Sequence, residues 1–233
     1  MPRRTDSRVR ARRARAYHHG DLRAALIRCG RVLLEQQGAA GMSLRAASRQ
    51  AGVSQTAPAH HFRNKEGLLA AIATEGFREL AEARLKAIRT RAAPLEVLRR
   101  VLRAQTEFVE RNPRLFHLMF GNELLRRGTH PELNEAATTS YDLLRHVVRE
   151  CLAQQAVNLA REPGVTRAIW MMMHGLATAV ADRQSFPASA HGVPVSQLVD
   201  VMLGLLSGGL VAAAGVRFGR GRASLSAESM VTA

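Results

Sequence analysis

Between Ser43 and Lys65 the chain reads SLRAASRQAGVSQTAPAHHFRNK, two short stretches on either side of the break Ala51-Gly52-Val53. Nothing else in the sequence constrains the fold as much. Two short helices joined by a tight turn containing glycine form the layout of a helix-turn-helix. Gly52 supplies a backbone conformation that a Cβ would resist. Ser43 is a good N-cap, which predicts a helix over 44–50. Ser54 stands in the same relation to a second helix, expected to run to about His61. Ala47, Ser48 and Val53 are small or apolar enough to let the two helices cross closely. Asn64 then caps a long helix with Glu66 in its first turn, where the helix dipole favours a carboxylate. Leu69, Ile72, Phe77 and Leu80 carry its apolar stripe towards Arg91.

The flanking sequence is helical in period too. Leu22, Leu26, Cys29 and Leu33 recur at helical spacing from Asp21, and Gly38 is a stop signal. Beyond the long helix, Pro94, Pro113, Pro131, Pro163 and Pro194 each precede an apolar-periodic stretch, as expected of a first-turn proline. Leu133, Ala137, Tyr141, Leu144, Val148, Cys151 and Leu152 form the clearest of these stripes. Hydrophobic residues make up 46% of the 233 residues but aromatics only 4%, a balance that suits helix packing over strands. The expectation is an all-α chain of about nine helices. A basic tail over 1–16, disordered in isolation, precedes a helix-turn-helix domain over 17–63. A helical effector-binding and dimerisation domain follows over 64–216, then a disordered tail over 217–233.

Charge narrows the function. Residues 1–62 hold 12 arginines against 3 acids, a surplus of 9 out of the chain's net +15. A basic N-terminal quarter is the electrostatic footprint of a phosphate-binding module. The second helix opens with Ser54, Gln55 and Thr56, polar groups that suit base edges as well as phosphates. Two readings stay open for the Arg-rich tail: a solvated segment, or an arm lying on DNA. An enzyme is not expected, because no acid–base pair, nucleophile triad or phosphate loop stands out. No cofactor or metal is expected. His18, His19, His60 and His61 are adjacent pairs that point different ways on a helix, and no other ligand completes a set. Cys29 and Cys151 fall on apolar stripes and are expected to be reduced core residues. The N-terminus lacks the apolar region of a signal peptide, and the uncharged run Val201 to Val216 is too short to span a bilayer. A cytoplasmic protein with no membrane partner is the expectation.

The segments YHHGDLRAALI and SLRAASRQAGVSQTAPAHHFRNKEGLLAAIATEGF resemble the TetR/AcrR family of transcriptional regulators over roughly Tyr17 to Leu80. The resemblance implies a homodimer with its reading helices in successive major grooves of a palindromic double-stranded operator. It implies a repressor that a small apolar or amphipathic effector releases. Carried over residue by residue, Ser43 caps the first helix and binds phosphate. Arg45 approaches the backbone or a base edge. Ser54, Gln55 and Thr56 face the major groove, and His60, His61 and Lys65 sit against phosphates. Two positions depart from the family pattern. Ala59 stands where an aromatic residue, typically Tyr, is usual, so one phosphate-contacting hydroxyl is missing. Ser48 stands where Ala is usual.

The C-terminal segments NPRLFHLMFG and AIWMMMHGLATAVADRQ resemble a branch of that family marked by Trp, His and Gly, here Trp170, His174 and Gly175. Trp170 and His174, four apart, share a helix face. With Met173, and with Phe116, Met119 and Phe120 from another helix, they make an adaptable apolar lining with one imidazole to orient a ligand. Core packing is the alternative for each of them singly. Leu198, Met202, Leu205, Gly209, Leu210 and Ala213 mark a last helix expected to bury itself against a second copy, with an intrachain core helix as the alternative.

Overall fold

The computed structural model describes residues 6–121, 125, 129–182, 193–194 and 196–205, and among these every regular element is helical. Seven α-helices follow in order: α1 (Asp6–Gly41), α2 (Leu44–Gln50), α3 (Lys65–Ile88), α4 (Pro94–Arg111), α5 (Pro113–Phe120), α6 (Pro131–Gln154) and α7 (Glu162–Ala181). An eighth, α8, covers 196–205. Single 3-10 turns lie at Ala57–His60 and Leu159–Arg161. The all-α expectation holds, and four of the helix starts marked by proline hold in detail. Pro94, Pro113 and Pro131 are each the first residue of a helix and Pro163 the second of α7, where a missing N–H costs nothing.

Helix α1 begins at Asp6, so the backbone of residues 6–16 is helical where the sequence alone suggests an unordered tail. Arg and Ala are strong helix formers, and lengthening a helix already nucleated costs little. The stop at Gly38 is real: its φ of 72° and ψ of 170° break the helical backbone inside α1.

The core has two parts. One apolar cluster joins Leu26, Leu33 and Leu34 of α1 to Ala47, Phe62, the stretch Leu68 to Leu80 of α3, Leu115 and Phe116 of α5, and Leu133 of α6. The other joins Ala87 to Leu98 and Leu102 of α4, Leu144 to Leu152 of α6, Met173 of α7, and Val199 and Leu203 of α8. Helix α3 enters both, so the helix-turn-helix and the C-terminal body share one continuous support. Its contact with α5 is close. A Cβ on Gly76 would stand 2.6 Å from Met119 Sδ and 3.2 Å from Leu115 Cδ1. Helix α8 is held to α4 by Asp200, which accepts from Arg103 Nη2 at 3.0 and 2.9 Å and lies 3.4 Å from Arg99 Nε. Cys151 is buried and Cys29 half-buried, both as free thiols. No described helix is long and apolar enough to cross a membrane.

Asn64 starts the helix on which both clusters depend, its side chain accepting from Gly67 N at 2.9 Å. Replacing it by Ala is expected to lower stability by about 1 kcal/mol, with Asp losing far less. The urea midpoints of the two variants measure the difference.

Candidate nucleic-acid interface and effector region

The helix-turn-helix is built from local hydrogen bonds. Ser43 Oγ accepts from Ala46 N at 3.1 Å and caps α2. Gly52 turns the chain with φ of 68°, and Val53 N closes the turn on Ser48 O at 3.0 Å. Ser48, fully buried where an alanine is usual, satisfies its hydroxyl by donating to Leu44 O at 2.9 Å. Ala47 and Phe62 are buried beneath the turn, and the Arg23 guanidinium lies 5.8 Å from the centre of the Phe62 ring.

The second helix differs from the expectation of a run from Ser54 to His61. Residues 55–56 form a turn, and only Ala57–His60 wind on as a 3-10 helix. Pro58 is the cause. It has no N–H to donate to Ser54 O, so no α-helical bond forms there, and it disfavours helical geometry at Ala57. Three-residue bonds take over: Ala57 N to Ser54 O at 3.1 Å and Ala59 N to Thr56 O at 3.2 Å. Ser54 does not cap the backbone by its side chain. Its hydroxyl pairs instead with Thr56 Oγ1 at 3.2 Å.

The expected DNA contacts lie within residues 43–65 of the chain. Ser43, Arg45, Ser54, Gln55, Thr56, Ala59 and His60 are exposed, and His61 is half-buried. Lys65 is half-buried, its Nζ donating to Ala40 O at 2.8 Å. That bond uses one of three ammonium hydrogens and ties the start of α3 to the end of α1. Among the described residues no group of three or more His, Cys, Asp or Glu is placed to hold a metal ion.

Four of the six C-terminal residues singled out for a ligand meet as a stack of rings. Trp170 and His174 lie face to face, centroids 5.0 Å apart and 6° from parallel. His174 stands 5.5 Å from Phe116 and 5.4 Å from Phe120. Phe120 reaches Trp170 at 6.4 Å and Phe77 at 5.2 Å. The two methionines diverge. Met119 packs against Gly76 in the first cluster, and Met173 is buried in the second. A cleft of about 200 Å³ lies elsewhere, between α3 and α6, lined by Arg78, Ala81, Glu132, Glu135, Ala136 and Thr139. Of the six residues expected at a dimer contact, Leu198 and Met202 are half-buried and Leu205 is exposed. Gly209, Leu210 and Ala213 lie outside the described residues.

Two arrangements went unread in the sequence. The first fastens α5 to α1. Leu115 N donates to Glu35 Oε1 at 2.9 Å and Arg114 Nη1 to Glu35 O at 2.8 Å. Arg31 pairs with Glu79 of α3 and donates to Asn112 Oδ1 at 2.7 Å. The second is a buried polar layer between the two clusters, in which Arg84 donates to Ser140 and Gln105. A signal for it was present. Arg84 sits four after Leu80 and three before Ala87, in core register on α3.

Comparison with known proteins gives a consistent picture. Residues 26–72 match the family described as bacterial regulatory proteins, tetR family, and residues 98–208 match the tetracyclin repressor-like C-terminal domain. No curated protein matches the chain significantly. A protein of unknown function from Rhodococcus sp. RHA1 is 30% identical, covering 83% of this chain and 97% of its own, with a TM-score of 0.71. FadR from Bacillus subtilis, solved in complex with stearoyl-CoA, is 17% identical over 78% of this chain and 96% of its own, at 0.64. The TetR family transcriptional regulator PfmR from Thermus thermophilus is 20% identical over 78% and 96%, at 0.58. The last two likenesses speak for the fold alone.

A Cβ on Gly52 would meet nothing within 4 Å, so any loss on substitution there is one of backbone conformation. Gly52→Val is expected to cost about 1–2 kcal/mol, and Gly52→Asn clearly less because Asn tolerates left-handed backbone. Equal urea midpoints for the two variants would contradict the turn geometry.

Proposed function

This chain belongs to the TetR family of bacterial regulatory proteins, and on that footing we propose that it is a ligand-responsive repressor that binds a palindromic operator as a homodimer. The observation that carries the proposal is the exposed polar edge Ser54-Gln55-Thr56, presented by a helix-turn-helix whose first helix is capped by Ser43. A purely electrostatic binder needs positive charge but no register of polar side chains. Gln55 and Thr56 read base edges in the major groove. Ser43, Ser54, His60, His61 and Lys65 position the module on phosphates, and Arg45 serves either task. The Arg-rich segment ahead of Tyr17 adds phosphate contacts that offset the hydroxyl missing at Ala59. The protein acts in the cytoplasm as a regulator and catalyses no reaction.

Dimerisation uses the outer faces of α7 and α8. Met171 is 61% exposed, Val201 54% and Leu205 67%, an apolar surface that a second copy would cover. A two-fold contact there pairs like with like and holds two helix-turn-helix modules at a set spacing.

The effector response runs through α5. One face of this helix carries Phe116 and Phe120 into the ring stack, and its N-terminus is held by Glu35 of α1. An apolar or amphipathic molecule wedged among the rings displaces α5, and α5 draws α1 with it. Such a molecule shifts the equilibrium only by its preference for the displaced state. A dimer whose modules no longer match two successive grooves releases DNA.

Selection from a random DNA pool at physiological salt is expected to return one inverted repeat. Gln55→Ala is expected to relax the preference at one base pair of each half-site by about 1–3 kcal/mol, leaving the salt dependence unchanged. Recovery of no preferred sequence would sink the regulator reading. Leu205→Glu is expected to shift sedimentation from dimer to monomer with helix content intact, whereas an unchanged dimer places the contact elsewhere.

A further inference from the structure

Among the described residues, no carboxylate pairs with the buried guanidinium of Arg84 in the C-terminal body. Arg84 is 3% exposed. Its guanidinium donates to neutral oxygens: the Ser140 carbonyl, Ser140 Oγ at 2.9 Å, and Gln105 Oε1. Its Nε is buried and makes no hydrogen bond. Burial pushes its pKa down to about 10, which leaves it a cation at neutral pH. A buried cation without a carboxylate is costly, and removing the charge altogether is commonly better for stability. Packing alone therefore gives no reason for arginine at this place.

The neighbours explain what the charge is suited to. Arg84, Gln105 and Ser140 come from α3, α4 and α6 and separate the two apolar clusters. Leu80, Phe108 and Ala136 lie on one side along these helices, and Ala87, Leu102 and Leu144 on the other. The Nε–Nη2 edge of a guanidinium takes both oxygens of a carboxylate at once. Here Nη2 is held by an amide oxygen of Gln105, a neutral group on a rotatable side chain, and the buried Nε makes no hydrogen bond.

We propose that Arg84, with Gln105 and Ser140, is the head-group end of the effector site, and that the effector is a monocarboxylate with an apolar tail. This rests on the reading of the protein as an effector-responsive regulator. A single buried cation balances one negative charge, so a carboxylate fits better than a phosphate dianion. The apolar clusters on either side require the remainder of the molecule to be apolar. Gln105 turns aside as the carboxylate takes Nε and Nη2.

Calorimetric titration of the full chain tests this with straight-chain carboxylates from butyrate to palmitate, each paired with its primary amide. At least one acid is expected to bind about tenfold or more tighter than its amide, the worth of one charge-assisted bidentate contact. Gln105→Glu supplies the missing counter-charge from within the protein. It is expected to raise the melting temperature and abolish the preference for acid over amide. Arg84→Gln, where circular dichroism shows it folded, is expected to bind acid and amide alike. Equal binding of every acid and its amide by the unmodified chain would overturn the proposal, and so would an acid preference that survives in Gln105→Glu. DNA selection on the same preparation separates the two readings. An inverted repeat recovered without acid binding removes the anion site and leaves the regulator. Acid preference in a chain that selects no DNA sequence supports the anion site and removes the regulator.

Discussion

The burial of α3 is the constraint on which the rest of the molecule depends. Of its 24 residues 13 are buried, from Leu68 to Ala87, so almost every turn faces apolar neighbours. Its first half packs under α1, Phe62 and α5, and its second half against α4 and α6. The helix-turn-helix thus has no core that is wholly its own. Interiors are packed to the density of organic crystals and transmit displacement rather than absorb it. At Gly76, where a methyl group would collide with Met119 Sδ, a shift of α5 has no slack to disappear into.

Polar contacts decide where that packing is stiff. Glu35 holds the N-terminus of α5 with its carboxylate and its own backbone carbonyl, and Arg31 binds both α3 and the start of α5. His130 Nε2 lies 3.2 Å from Glu66 Oε1, joining the start of α6 to the start of α3. Each pair links the DNA-reading end to the C-terminal body through groups that are only partly buried. Exposed ion pairs contribute little to stability. Their significance is orientation: they hold α1, α3, α5 and α6 in one relative arrangement.

Much of the candidate DNA interface was legible because its determinants are local. Ser43, Gly52 and Asn64 act on backbone groups within three or four residues, and each does in the structure what its residue type requires. The second helix departs from the helical pattern for an equally local reason: Pro58 weighs more than the residues around it and reduces the segment to one 3-10 turn. The ring stack was only half legible. Trp170 and His174 share a face by spacing alone, and Phe116 and Phe120 do likewise, but the meeting of the two pairs depends on how α5 crosses α7. Met119 and Met173, which stand beside those rings in the sequence, turn to different clusters. Side-chain type says that a residue is buried, not against what.

The sequence by itself determined the all-α class, the helix starts marked by proline or by the caps Ser43 and Asn64, and the Gly52 turn. It also marked Arg84 as a charge in core register, although the meaning of that charge could not be read from α3 alone. These are consequences of short-range sterics and hydrogen bonding, written within a few residues of where they act. Only the tertiary structure decided that Gln105 and Ser140 stand opposite Arg84 from helices 21 and 56 residues away, and that Glu35 caps a helix 80 residues distant. Those pairings follow from helix crossings, which are selected by the fit of whole surfaces and not by any single residue along the chain.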